Sequence, residues 1–281
     1  MEFLKTNSDF GFEVSVCKNL HSLGFHVEHG GTYTDPVTNK LRQFDIRANR
    51  SQHKFLIGLA VECKNLKPHF PLLVSCLPRT KTESFHEVAL SVDRKRLNLK
   101  TGEATTQYHL PYTMPRGQPL RFDSASSLYK HSTPVGKCCE QVGKDINDNF
   151  TSTDSDAYEK WSQAIASAHD LVMSAYEVAS EDTAKCLFAF VMPILVVPDG
   201  TLWQADFDAD GNSQGKPHLV NRCSLYLDKS YVYRDSGTYV EHRISHLEFV
   251  TATGLEALIK TLTEADWEYV FNPHMWSDFV K

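Results

Sequence analysis

The sequence predicts an α/β fold in which a central sheet is covered by helices on both faces. Segments with helical apolar periodicity occur near residue 10 and, over a longer stretch, after residue 154. The run Phe55-Leu56-Ile57-Gly58-Leu59-Ala60-Val61 is apolar on both of its faces, as a strand covered from two sides requires. A second run of this kind, Cys186 to Val197, follows the long helical segment. With 41% hydrophobic and 23% charged residues in 281, the composition is that of a globular chain, and collagen-like, disordered and disulfide-scaffold classes are excluded. The expected organisation is one domain over 1–281, with a core at 8–77, a loop-rich insertion at about 78–135, and the long helix with further strands over 154–281.

The elements follow in chain order. Asn7 or Ser8 caps a helix carrying Phe10, Val14, Val16, Cys17, Leu20 and Leu23, and Gly24 stops it. Glu13 shares the helical spacing of Phe10, Val16, Cys17 and Leu20, which turns a carboxylate toward the buried side or its edge. Two extended segments, 25–34 and 40–49, are joined by the turn Asp35-Pro36-Val37-Thr38-Asn39. In the second segment Phe44, Ile46 and Ala48 share one face, and Gln43, Asp45 and Arg47 the other. Phe70 to Leu77 reads as a further strand, and the residues up to Thr133 as loops with short elements. Tyr158, Trp161, Ile165, Ala168, Leu171, Val172, Ala175 and Tyr176 define a helix from Asp154 or Ser155 to Ser180, with its aromatics in the core. Strands are expected at 201–207, 218–227 and 231–234, and a short helix at 254–262.

The net charge of −6 conceals an asymmetry. Residues 1–130 carry 18 Lys and Arg against 12 Asp and Glu, a net +6, whereas residues 131–281 carry 11 against 23. A basic half suits an anionic partner. Seven scattered Cys without a Cys-x-x-Cys pair argue for reduced thiols in a cytoplasm, and the first residues lack the pattern of an export signal. The longest apolar run is short and interrupted by Pro193, so no membrane partner is expected.

Chemistry concentrates where the central strand breaks into charge. Glu62 and Lys64 are two residues apart and face the same way on a strand, and a neighbouring antiparallel strand sets Asp45 beside them. Two carboxylates with the backbone carbonyl of Cys63 make a hard oxygen site suited to Mg²⁺, for which Mn²⁺ can substitute. A nearby Lys orients or helps deprotonate an attacking water and offsets phosphodiester charge. Charged strand ends are common, and the bland alternative is a solvated pair. One ion pair, however, needs a single acid, and here three acids and a lysine coincide.

Phe44-Asp45-Ile46 followed by Val61-Glu62-Cys63-Lys64, after a helix bearing Glu13, resembles the PD-(D/E)xK, or restriction-endonuclease-like, nuclease superfamily. The turn from Gly30-Gly31-Thr32-Tyr33-Thr34-Asp35-Pro36 into Arg42-Gln43-Phe44-Asp45 also looks like bacterial members, with Gln43 where an acid is commoner. The resemblance implies a three-layer α/β/α sandwich with a central mixed β-sheet and additional C-terminal strands. It implies metal ligation by Asp45 and Glu62, a water- and phosphate-directed role for Lys64, and an auxiliary role at the metal for Glu13. It also implies Mg²⁺-dependent DNA endonuclease activity, in a bacterial defence or restriction setting, acting as a homodimer or with a partner protein. Such folds often add Gln or Lys from a later helix, which makes Gln141, Lys144, Lys160 and Gln163 secondary candidates. The rival reading is the same fold without turnover, a module that binds nucleic acid or partner proteins, because the overall acidity disfavours strong autonomous DNA affinity.

Other signals carry less. Asp206-x-Asp208-x-Asp210-Gly211 imitates half of an EF-hand, but Pro217 stands where a bidentate Glu is needed, so a hairpin turn is expected. Gly136-Lys137-Cys138 lacks the Ser or Thr of a phosphate loop. Cys138 and Cys139 read as one exposed and one buried thiol. Arg42, Arg47, Lys54, Lys67, Arg79, Lys81 and the cluster Arg94-Lys95-Arg96 are the cations available to track phosphates.

Overall fold

The computed structural model describes residues 8–52, 55–91, 117–123, 127–144, 149–153, 155–180, 187–235 and 238–263. The chain begins with α1 (Asp9–Ser22), capped by the Ser8 hydroxyl, which accepts from the Phe10 N–H, and ended by Gly24 at φ 84°. β1 (His26–Thr34), β2 (Leu41–Gln52) and β3 (Phe55–Cys63) follow as an antiparallel meander. The Asp35 turn between β1 and β2 forms as expected: Asp35 Oδ1 accepts from the N–H groups of Val37 and Thr38. After β4 (Leu72–Pro78) come β5 (Phe85–Ser91), β6 (Gly117–Asp123), β7 (Pro134–Lys144) and β8 (Phe150–Thr153). The long helix α2 (Ser155–Ser180) leads into β9 (Leu187–Val197). β10 (Leu202–Asp206), β11 (His218–Leu219), β12 (Arg222–Asp235), β13 (Thr238–Thr251) and α3 (Ala252–Thr263) complete the described chain.

The strands join one mixed sheet in the order β1-β2-β3-β9-β13-β12-β7-β4-β10-β11, with β5, β6 and β8 branching from it. β3 and β9 run parallel from Phe55↔Phe188 to Cys63↔Val196, a connection that needs the α2 crossover. On its other side β9 pairs first with β5, at 187–189, and then with β13, at 194–197. Pro193 falls between those two partners, where a residue lacking an N–H is best tolerated in a central strand.

Alternation along β3 decides which helix covers which face. Ile57, Leu59, Val61 and Cys63 share a cluster with Val16 and Leu20 of α1 and Leu255, Leu258, Ile259 and Leu262 of α3. Ala60, from the opposite face, packs with Ala168, Val172, Ala175 and Tyr176 of α2. The fold is therefore mixed α/β, with a large sheet and few helices. No described helix is long and apolar enough to cross a membrane.

Several expectations are corrected. Within 78–135 the short elements include β5 and β6, which pair antiparallel, and β5 also joins β9. β7 and β13, unrecognised in the sequence, are long strands. The segments expected at 218–227 and 231–234 are a separate β11 and one continuous β12, whose register shifts between Tyr226 and Lys229 around Asp228 at φ 48°. Phe10 and Tyr158 are exposed rather than in the core, whereas Tyr176 is buried. The Asp206–Asp210 segment is a turn: Asp208 Oδ1 accepts from the N–H groups of Asp210 and Asn212, and Gly211 adopts φ 83°. Cys138 is exposed and Cys139 buried, as expected. Asn7, Lys54, Cys186 and Arg94-Lys95-Arg96 lie outside the described residues.

A Cβ added to Gly254, in the first turn of α3, would sit 1.7 Å from the backbone carbonyl oxygen of Asn221. Gly254→Ala is expected to cost about 2–3 kcal/mol in urea unfolding, because a backbone atom rather than a side chain must yield. Stability is also expected to fall with acid. Burial pushes the imidazoles of His86 and His242 down to about 3. Burial, with the charges of Arg79 and Arg222, takes His246 to about 2. Folded values below the unfolded one favour the neutral rings, so their contribution is full above about pH 6.5 and is lost as pH falls toward 3. Unfolding free energies from urea at pH 7.5 and pH 5 should differ by on the order of 2 kcal/mol or more in Glu62→Gln, a variant that removes the buried carboxyl raised to about 8, whose effect has the opposite sign. Equal free energies at the two pH values in that variant would contradict the burial of these rings.

Candidate metal centre

The site forms where β2 and β3 part. Their ladder runs from Gln52↔Phe55 to Ile46↔Val61, and one step beyond it side chains replace the backbone partners. The Asp45 N–H donates to Glu62 Oε1 at 3.3 Å, and the Cys63 N–H donates to Asp45 Oδ2 at 2.9 Å. β3 meanwhile remains paired with β9, and the Lys64 N–H donates to the Val196 carbonyl at 3.0 Å. The strand end is thus held firmly on one side and bridged by carboxylates on the other. This is the juxtaposition of Asp45 with Glu62 that the spacing predicts.

Phe44 helps to set this position. Its ring lies where a Cβ on Gly31 would fall, at 2.5 Å, so glycine at that point of β1 admits the aromatic side chain next to Asp45.

The third charged group arrives from α2. Ala164 and Ala168 are fully buried, and their small side chains let the helix approach the sheet closely. Arg47, two residues after Asp45, donates from Nε to Ser167 Oγ at 3.1 Å and pairs through Nη1 with Asp170 at 2.8 Å. These contacts fix the helix along β2, so that Lys160 Nζ reaches Asp45 Oδ2 at 2.7 Å and Glu62 Oε2 at 3.4 Å. Gln43, Asp45, Lys64, Glu159, Lys160 and Gln163 line a cleft of about 360 Å³ in front of the acids.

The two carboxyls differ. Glu62 is 1% exposed, and burial, with the charge of Asp45 next in importance, pushes its carboxyl up to about 8 against the opposing pull of Lys160. Burial alone would lower the Lys160 ammonium. The hydrogen bond to Asp45 and the charges of Asp45, Glu62 and Asp9 instead hold it above its ordinary value. Burial also pushes the Cys63 thiol well up, so that side chain is a neutral thiol beneath the site.

Not every expected residue converges. Glu13 is mostly buried, as its spacing predicts, but it pairs with His29 Nε2 at 3.1 Å rather than with the two acids. Among the described residues no three His, Cys, Asp or Glu side chains gather as a metal-holding group. Gln141 does not line the cleft: its Nε2 donates to the Phe70 carbonyl at 3.2 Å. Lys144 ends β7, and its side chain lies outside the described residues. Arg42 pairs with Asp35, Arg47 with Asp170, and the buried Arg79 donates to the Lys130 carbonyl and Thr133, so each of the three has a protein partner. Asp9 is the residue that sequence reasoning missed. Its Oδ1 accepts from the Asn65 N–H at 2.8 Å, tying the start of α1 to the chain just after Lys64. The available signal was its place one helical turn before Glu13.

Comparison of the chain with known protein families, curated proteins and solved structures finds no match. The geometry of the site therefore carries the functional argument.

Removing the two acids should have unequal effects without metal. Asp45→Ala takes away the acceptor of both Lys160 and the Cys63 N–H, and is expected to cost about 2–4 kcal/mol. Glu62→Gln replaces a carboxyl that burial already holds mostly in its neutral form, at nearly constant volume, and should cost less than about 1 kcal/mol. Urea unfolding in EDTA checks the pair, and equal losses would contradict this division.

Proposed function

We propose that this chain is a metal-dependent DNA endonuclease with a restriction-endonuclease-like α/β/α core. The acid pair at the parting ends of β2 and β3, with Lys64 lining the same cleft, is the observation that carries the reading. The arrangement supports it: a helix, three antiparallel strands and, after the intervening β4 to β8, a crossover helix and a strand parallel to β3, with helices on both faces.

The donor set suits a hard divalent cation. Mg²⁺ commonly binds through one or two carboxylates and keeps several waters, so two acids suffice without a third. Asp45 and Glu62 would hold it, with the Cys63 carbonyl as the backbone donor. When bound, the ion supplies Lewis acidity and a water of lowered pKa. Lys64 offers positive charge to a phosphate or to the attacking water, while Gln43 and Gln163 supply neutral hydrogen-bonding groups at the cleft walls. A second reading, a nuclease-fold module without turnover, is favoured by the commitment of Arg42, Arg47 and Arg79 to protein partners, which reduces the basic surface.

The test is cleavage of supercoiled and linear DNA, with RNA in parallel, in Mg²⁺ or Mn²⁺ and in EDTA. Cutting is expected with metal, none with EDTA, and a drop of at least about a hundredfold in Asp45→Ala and Lys64→Ala. Undiminished activity in those variants overturns the assignment. Metal binding at Asp45 and Glu62 with no cutting of any substrate supports the binding module.

A further inference from the structure

Lys160 stands at the point a metal ion would take. Its ammonium bridges one oxygen of each acid, Asp45 Oδ2 and Glu62 Oε2. The other Glu62 oxygen is engaged by the Asp45 N–H, so Oε2 is the one turned toward a cation. A divalent ion bound by both carboxylates at about 2.0–2.1 Å fills the same gap, and two cations do not share it.

We infer that Lys160 is the resident counter-cation of the acid pair and that a divalent ion must displace it to bind. This rests on the metal-site reading given above. Lys160 is delivered by a helix whose position is fixed by Ala164, Ala168 and the Arg47 contacts, so the exchange needs no movement of α2. Only the side chain must turn, and it already borders the cleft that contains Lys64. Once displaced, the ammonium swings into that cleft beside Lys64. Metal loading then places a second positive charge where a phosphate would lie, and the metal-free protein keeps that charge on its own acids. The acid pair is never left buried without a cation, which accounts for a lysine on α2 in addition to Lys64 in the strand-end motif.

Mn²⁺ titration of the full chain by calorimetry tests this without recourse to catalysis. Lys160→Met removes the competing charge, and Lys160→Gln removes it while keeping a hydrogen-bond donor if the first variant folds poorly. Both are expected to bind Mn²⁺ on the order of tenfold more tightly than the wild type, the scale set by one unit charge a few ångström away in a partly solvated site. Mn²⁺ should also raise the melting temperature of either variant by more than it raises that of the wild type. Asp45→Ala is the control and should abolish binding. Wild-type binding that is lost in Asp45→Ala but unchanged or weaker in both Lys160 variants overturns the exchange and leaves the metal site standing. No Mn²⁺ binding in any protein, or binding that survives Asp45→Ala, overturns the metal site itself and the exchange with it.

Discussion

Glu62 is closed off from water at the end of a central strand, and Asp45 stands against it. Two carboxylates in such a corner repel each other and lack hydration, so either one of them holds a proton or a cation must be within reach. Much of this end of the molecule bears on that requirement. The alanines of α2 bring the helix close, Arg47 fixes its position through Ser167 and Asp170, and Lys160 supplies the charge. Asp9 adds a further negative charge that keeps the lysine protonated.

The same corner depends on an asymmetry of the sheet. Had both neighbours of β3 stayed paired to its end, no gap would exist between β2 and β3 for side chains to enter. Had neither, the strand end would fray and its N–H groups would turn to water. β9 holds one side as far as Val196, and Asp45 and Glu62 satisfy the N–H groups of Cys63 and Asp45 on the other. The carboxylates are therefore structural partners of the backbone as well as candidate ligands.

What was legible in the sequence was local. The cap at Ser8, the stop at Gly24, the turn at Asp35 and the bounds of α2 follow from neighbours a few residues apart. The pairing of Asp45 with Glu62 follows from strand alternation across one turn. β5 and β13 were hidden because His86, Glu87, His242, His246 and Glu248 are buried polar residues that interrupt any apolar pattern. Their partners come from elsewhere in the fold: the Ser127 hydroxyl meets His86, and Arg222 pairs with Glu248. Lys160 and Gln163 were secondary candidates only because folds of the resembled kind often add Gln or Lys from a later helix. Glu13 pairs with His29, a strand residue 16 positions on, through a contact that helical spacing cannot show.

The connection between β3 and β9 has a consequence for how the protein is made. The acids belong to the first 62 residues, whereas the bond from Lys160 to Asp45 spans 115 positions and the strand that steadies β3 begins at Leu187. Contacts of such separation close large loops, and chains rich in them fold slowly. During synthesis the meander is complete long before its cation exists. Until α2 follows, the ammonium that meets Asp45 and Glu62 is missing from the chain. The acid pair thus gains its counter-cation only after α2 has been made and has packed on the sheet.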